Sequence, residues 1–538
     1  MAVERIIPTS QIPDIVTYSI LIDGAEIPAS IPVTRITIQR EVNKIPFAKI
    51  TISDGDPSEE DFPVSNEDYF IPGKEIEFKL GYRSDNTSLF KGIIINHSNR
   101  ISNRSAELNV ECRDKAVKLT VGKKSRHFED VTDSDIAEEI IEQYGIDKDI
   151  ESTSIQYKEL IQFNSTDWDF ILSRIDLIGR ICLVEDGKII IKKPLLNADS
   201  VLDLLFGATI LDYTAEIDAR LQYSEVKSRS WDYSNQEIIE DTGDEPVMNE
   251  IGNITNTELA DVIGLDSYSL LHSGKMTNEE LKEFANSKIL KSRLAKVRGK
   301  VRFQGFPGVK PGDIISLNGV GERFNGPVFV SSVRHEFAKG NWTTEVIFGM
   351  SENWFVEKIN PYHLSSQNGL LPSVQGLQIG IVTDLEDPEG ENRVKVKLPV
   401  VSNSEEGIWM RIATLDAGSN RGTFFLPEID DEVIAGFIFN DPNNPVILGM
   451  LHSSAKPAPL TASNSNDEKG YVSRANTKMI FNDSEKSFTL EDENGNRLKF
   501  ESGGITIESS SSLKLKAASI KIEASGNAEI KGAVVKIN

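Results

Sequence analysis

The feature that most constrains this chain lies at its C-terminal end. Apolar residues come in pairs, one residue apart, at Ile505/Ile507, Leu513/Leu515, Ile520/Ile522, Ala528/Ile530 and Val535/Ile537. Successive pairs are spaced by eight, seven, eight and seven residues, with Lys, Ser, Glu, Ala, Gly or Asn between them. Each pair reads as a short strand with one apolar face, followed by a kink. Strands of this kind must stack to cover that face. At three strands per turn a coil takes about 22–23 residues, so one chain makes only roughly 1.5 coils between Ile505 and Ile537. That is too little to close a core. Three copies wound together solve the problem, because each supplies one wall at every level. The repeat therefore predicts a C-terminal triple-stranded β-helix formed by a homotrimer. Its needle core would be Ile505, Ile507, Leu513, Leu515, Ile520, Ile522, Ile530, Val535 and Ile537, and Phe488/Leu490 and Leu498/Phe500 continue the theme upstream. The competing reading is an exposed, two-sided meander packed on the body. The lack of aromatics after Phe500 favours the thin prism.

Upstream the chain is mainly β. YSILIDG, TRITIQR, FAKITISDG, EIEFKLGY and AELNVECRD alternate apolar and polar residues and predict a half-buried antiparallel sheet or barrel. Helices are few. Ile136, Ile140, Ile141 and Tyr144 share one helical face before the stop at Gly145, and a second helix runs from Thr166 to Gly179. A third opens with the capping box Thr277-x-x-Glu280 and runs to about Val297. Residues 232–265 are polar, acidic and aperiodic and read as a loop or insertion. The expected organisation is a hub over 1–360, a linker over 361–375, and a small OB-type β-barrel over 376–455. A second linker over 456–470 and the needle over 471–538 complete it.

Composition narrows the function. The chain has 538 residues, too many for one core, and 83 Asp+Glu against 58 Lys+Arg give a net charge of −25. Such a chain repels phosphate backbones and anionic headgroups, which argues against nucleic-acid partners and against membrane anchoring. Cys112 and Cys182 are too few for a disulfide framework or a thiolate metal site. The opening MAVERIIPTSQIPD lacks the basic and apolar regions of a signal peptide, and no stretch reaches ~18 apolar residues. Cytoplasmic assembly, followed by export by a non-Sec route, is the expectation.

Chemistry-bearing patterns are sparse. His97, His127, His272, His335, His363 and His452 are dispersed without His-Glu-x-x-His or His-x-His spacing, and His335-Glu336 reads as structural. There is no G-x-S-x-G, P-loop or G-x-G-x-x-G after a strand. The acidic DGDPSEED (54–61) fails the EF-hand pattern and reads as a solvated loop. Asp430, Asp431 and Glu432 read as a turn before a strand rather than a glycosidase pair. Trp168, Trp231, Trp342, Trp354 and Trp409 are scattered singly, as core or interface anchors. No catalytic residue, cofactor or metal is predicted.

The barrel segment carries Gly380-Ile-Val382 followed by Asp387-Pro388, then RVKVKLP (393–399), Trp409-Met-Arg411, FLPEIDDEV (425–433) and FNDPNNPVILG (439–449). These motifs resemble the VgrG-like spike proteins of contractile injection systems, a family that includes type VI secretion spikes, extracellular injection particles and phage tail hubs. Asp430 and Asn440 depart from the family pattern, both at turns. The hub marks are FKGIIINHS, CRDKAVKLT, FNSTDWDFILSRIDLIG and FPGVKPGDIISL. The resemblance implies two tube-like barrel domains in the hub and a trimer that caps an inner tube protein. It also implies baseplate partners, effectors as cargo, and a PAAR-repeat tip protein seated on Val534, Val535, Lys536, Ile537 and Asn538. A structural, non-enzymatic spike that pierces a target envelope is the function it implies. The alternative is a trimeric tail-spike enzyme that cleaves cell-surface polysaccharide, and an adhesin-like module stands third.

Overall fold

The computed structural model describes residues 15–103, 105–232, 237–272, 276–355, 374, 376–398 and 407–536. The expected linker 361–375, His363, Ile537 and Asn538 therefore lie wholly or mostly outside the described residues. The chain divides into two compact units, Met1–Met450 and Leu451–Asn538.

The alternating segments near the start form strands in one 13-stranded sheet. Its N-terminal part comprises Val16–Ile22, Ala25–Glu26, Val33–Glu41, Phe47–Ser53, Glu75–Tyr82, Asp85–Ile101 and Ala106–Arg113. Its later part comprises Leu202–Leu205, Ile210–Ile217, Val297–Gln304, Ile314–Asn318, Gly326–Ala338 and Asn341–Phe348. The halves meet where Gly326–Ala338 pairs antiparallel with Val33–Glu41, His335 opposite Ile38. There are two cores, one around Ile36, Phe78 and Phe90, which Phe337 and Trp342 of the later part also enter, and the other around Val301, Leu317 and Phe348. One continuous sheet thus spans the region in which the resemblance implies two hub barrels. Cys112 and Cys182 are buried and unpaired, and burial raises both thiols far above their ordinary range.

Between the halves sit the first two long helices. Asp133–Glu142 starts at Thr132, whose hydroxyl accepts from the Asp135 N–H while Asp135 accepts from the Thr132 N–H. Asp167–Leu177 starts at Thr166. Buried Asp167 accepts from Lys124 Nζ at 2.7 Å, Tyr144 Oη at 2.6 Å, Gln162 Nε2 at 2.9 Å and Arg126 Nη2 at 3.0 Å. These donors hold its carboxyl below the ordinary carboxylate range despite burial, which explains an Asp inside FNSTDWDF. Two further buried ion pairs tie the helices to one another. Arg174 Nε meets Asp133 at 2.7 Å, and Lys291 Nζ meets Asp176 at 2.6 Å from helix Asn278–Leu294. That third helix ends at Leu294, short of the expected Val297, because the following residues join strand Val297–Gln304.

The loop reading of 232–265 is corrected. Strand Glu237–Thr242 pairs with Val226–Asp232, and a helix spans Asn256–Ile263. The helix begins with a capping box between Thr255 and Glu258 and stops at Gly264 in the left-handed region, φ 67°. The acidic surroundings hid a start signal of the same form as Thr277-x-x-Glu280.

The second half of the first unit ends in a closed barrel of five strands. They are Gln378–Asp384, Val394–Lys397, Ile408–Ile412, Pro445–Met450 and Glu432–Phe437, the last pairing back to the first. Its motifs have physical reasons. A Cβ on Gly380 would sit 2.3 Å from Val396 Cγ1, so only glycine lets the first strand approach the core. Asp387 accepts from the backbone N–H groups of Glu389, Glu391 and Arg393 and from the Arg393 guanidinium at 2.8 Å. This holds its carboxyl far below the usual range and folds the turn. Asp430 (φ 68°) and Asn440 (φ 60°) both occupy the left-handed region, which Asp and Asn tolerate better than most residues. The departures from the family pattern preserve the turns.

Candidate functional site

The second unit holds a five-stranded antiparallel meander: Glu468–Val472, Lys478–Asn482, Ser487–Glu491, Arg497–Glu501 and Gly504–Glu508. Register decides its chemistry. Tyr471 pairs with Met479, Met479 with Leu490, Leu490 with Leu498, and Leu498 with Ile507. In the adjacent row Phe481 pairs with Phe488, Phe488 with Phe500, and Phe500 with Ile505. Directly paired residues point to the same side, so both rows build one apolar face. The ring centroids of Phe481 and Phe488 are 4.8 Å apart and those of Phe488 and Phe500 are 6.0 Å apart.

The opposite face is polar. Lys478–Glu491 at 3.5 Å and Arg497–Glu508 at 2.8 Å run across it as ion pairs. The sheet is therefore one-sided in character, unlike the two-sided meander weighed from sequence. Its apolar face is uncovered: Tyr471, Met479, Phe481, Leu490, Phe500, Ile505 and Ile507 are between 38 and 65% exposed, and Phe488 and Leu498 are half-buried. Each such side chain gains about 1.5–3 kcal/mol on full burial, so the face is a strong driver of association.

Ile505 and Ile507 thus sit in the last strand of the meander. Leu513, Leu515, Ile520, Ile522, Ile530, Val534 and Val535 follow on a segment without strand pairing in the chain, all exposed, as is Lys536. The sequence reading missed Tyr471, Met479 and Phe481, although the one-residue spacing of Met479 and Phe481 repeats the later pairs.

The first unit contributes a tight join between hub and barrel. Ile161 and Phe163 of hub strand Tyr157–Ser165 pack into the barrel core with Val394, Val396 and Met410. Around them Lys158 pairs with Glu389, Lys395 Nζ lies 3.8 Å from Glu129, and the Trp409 N–H donates to Glu159 at 3.3 Å. The other candidate residues serve the fold. His335 is buried, shares a 3.0 Å hydrogen bond with Thr344 Oγ1, and is pushed down to about 3 by burial and the nearby Arg40 charge. Asp54 of DGDPSEED accepts from the N–H groups of Val64 and Ser65. Trp168, Trp342 and Trp354 are buried anchors.

Residues 12–339 match the Alg8 N-terminal domain family, over more than half of the chain. The chain belongs to that family. Residues 378–452 match the type VI secretion system/phage-baseplate injector OB domain, the closed barrel described above. A stretch of 139 residues is 30% identical to the type VI secretion system spike protein VgrG1c of Pseudomonas aeruginosa, covering 23% of this chain and 18% of that protein. The match spans less than a fifth of that relative's length. The half-lidded PdpA–VgrG complex of Francisella is similar in fold, at TM-score 0.55 and 8% identity over 92% of this chain and 88% of that one. An E. coli component of the type VI secretion system, described as structurally similar to the T4 tail proteins gp27 and gp5, matches at TM-score 0.50 and 13% identity. It covers 80% of this chain and 99% of its own. These matches bear out the mainly β fold, and over part of the chain they show a likeness to VgrG spike proteins.

Proposed function

We propose that the chain is the structural spike and hub at the centre of a contractile injection baseplate, active as a homotrimer. The observation that carries this reading is the uncovered apolar face from Tyr471 to Ile507, continued by exposed apolar pairs that have no strand partner in their own chain. Two further copies supply both the missing cover and the missing edges. Once closed, the needle has a dry core and backbone groups paired between chains, so it resists forced unfolding better than a lone sheet.

The mechanism is mechanical and uses no catalytic group. The hub caps an inner tube protein, sheath contraction drives the assembly forward, and the needle concentrates force on its tip. Val534, Val535, Lys536, Ile537 and Asn538 form the seat for a PAAR-repeat tip protein. Effectors ride as cargo, and the net charge of −25 docks the body against basic baseplate partners. The chain assembles in the cytoplasm and leaves it as part of the particle. No helix among the described residues is long and apolar enough to cross a membrane.

Light scattering on the purified chain tests the reading. A mass of three times 59.7 kDa is expected, and a monomer at micromolar concentration sinks it. Ile520→Asp would bury three carboxylates at one level of the needle, each costing several kcal/mol. That variant should fall apart into monomers with the first unit still folded; an unchanged trimer with unchanged melting excludes Ile520 from the core.

A further inference from the structure

The hub strands next to the barrel bring three ligand-type side chains together. Lys124–Val131 and Tyr157–Ser165 run antiparallel, with Glu159 opposite Glu129 and Ile161 opposite His127. His127 and Glu129 are two residues apart, so they share the face on which Glu159 lies. One ligand-type atom from each of the three lies within 4.8 Å of the others.

Two carboxylates directly opposite in a ladder repel each other. Lys395 offsets part of this from 3.8 Å, on the Glu129 side. His127 Nδ1 lies 3.7 Å from Glu129 Oε1, beyond hydrogen-bond range and close to the separation of about 3.3–3.5 Å expected for two donors on one tetrahedral ion. The His127 side chain is only 5% exposed. The Trp409 N–H fixes one oxygen of Glu159 from outside, the kind of outer contact that orients a metal-binding carboxylate. Glu129 and Glu159 also line a cleft of about 660 Å³ between hub and barrel, which gives an ion its entry path.

We propose that His127, Glu129 and Glu159 form a binding site for a divalent zinc-class ion at the join of hub and barrel. One imidazole with two carboxylates suits zinc better than calcium or magnesium, which prefer all-oxygen shells. Bound there, the ion neutralises the facing carboxylates and leaves a fourth position towards the cleft. The proposal does not depend on trimer formation.

The test is calorimetric titration of the chelator-treated, full-length chain with Zn²⁺, and separately with Ca²⁺ and Mg²⁺. One saturable Zn²⁺ per chain is expected, weakened tenfold or more by Glu129→Gln, Glu159→Gln or His127→Gln. Glu129 is 41% exposed, so Glu129→Gln reads the site even if the His127 variant fails to fold. No Zn²⁺ uptake, uptake unchanged in Glu129→Gln and Glu159→Gln, or preference for Ca²⁺ or Mg²⁺ overturns the assignment.

Discussion

At Gly380 the constraint is space. The missing Cβ lets the first barrel strand pass Val396, whose side chain is fully buried and has nowhere to turn. Gly380→Ala should therefore destabilise the barrel by about 1–3 kcal/mol, the usual cost of overpacking, measured as a lower urea midpoint. His335 gives a pH signature. Its folded value of about 3 lies below the unfolded value near 6.5, so between the two the unfolded chain binds the extra proton. Its contribution is full above pH ~6.5 and is lost as pH falls towards the folded value, with a slope of at most about 1.4 kcal/mol per pH unit. Denaturant midpoints from pH 7 to 4 should fall more steeply in the wild type than in His335→Gln. Equal slopes would show that the imidazole does not titrate with unfolding.

Single strands of the meander look unremarkable; pairing turns their alternate residues into one continuous apolar surface. Phe488 is central, in ring contact with both Phe481 and Phe500. Phe488→Lys should abolish self-association while leaving the melting of the first unit unchanged. Its neighbour Thr489, paired with Ile480 and Lys499 on the polar side, is the control. Thr489→Lys should leave the assembly intact in light scattering, and equal effects of the two lysines would mean that the apolar face is not the contact. Elements with local signals were legible in advance: the capping box at Thr277 and the alternating hub strands. The helix Asn256–Ile263 was equally legible from Thr255-x-x-Glu258 and was lost among the surrounding acidic residues.

Across the whole molecule, the hub and barrel form one compact unit and the meander and tail another. The barrel shares its core with hub residues Ile161 and Phe163. A chain stopped after His452 should keep the main melting transition and lose self-association, read by calorimetry and by mass in solution. Collapse of that transition would mean that the hub needs the C-terminal unit to fold.

Features that depend on neighbours along the chain are legible in the linear sequence. Period-two alternation, helix caps, the Asp387 turn and the paired apolar repeat each act within a few residues, so a linear reading finds them. What depends on register and on distant segments, the fit of Gly380 against Val396 included, emerges only on folding. The cross-strand match that aligns Tyr471, Met479, Phe481 and Phe488 on one face is of this kind. So are the placing of Glu159 against Glu129 beside His127 and the packing of Ile161 into a barrel more than two hundred residues away. The reason is physical: a strand's own sequence sets which side chains share a face, whereas hydrogen-bond register with another strand sets which of them meet.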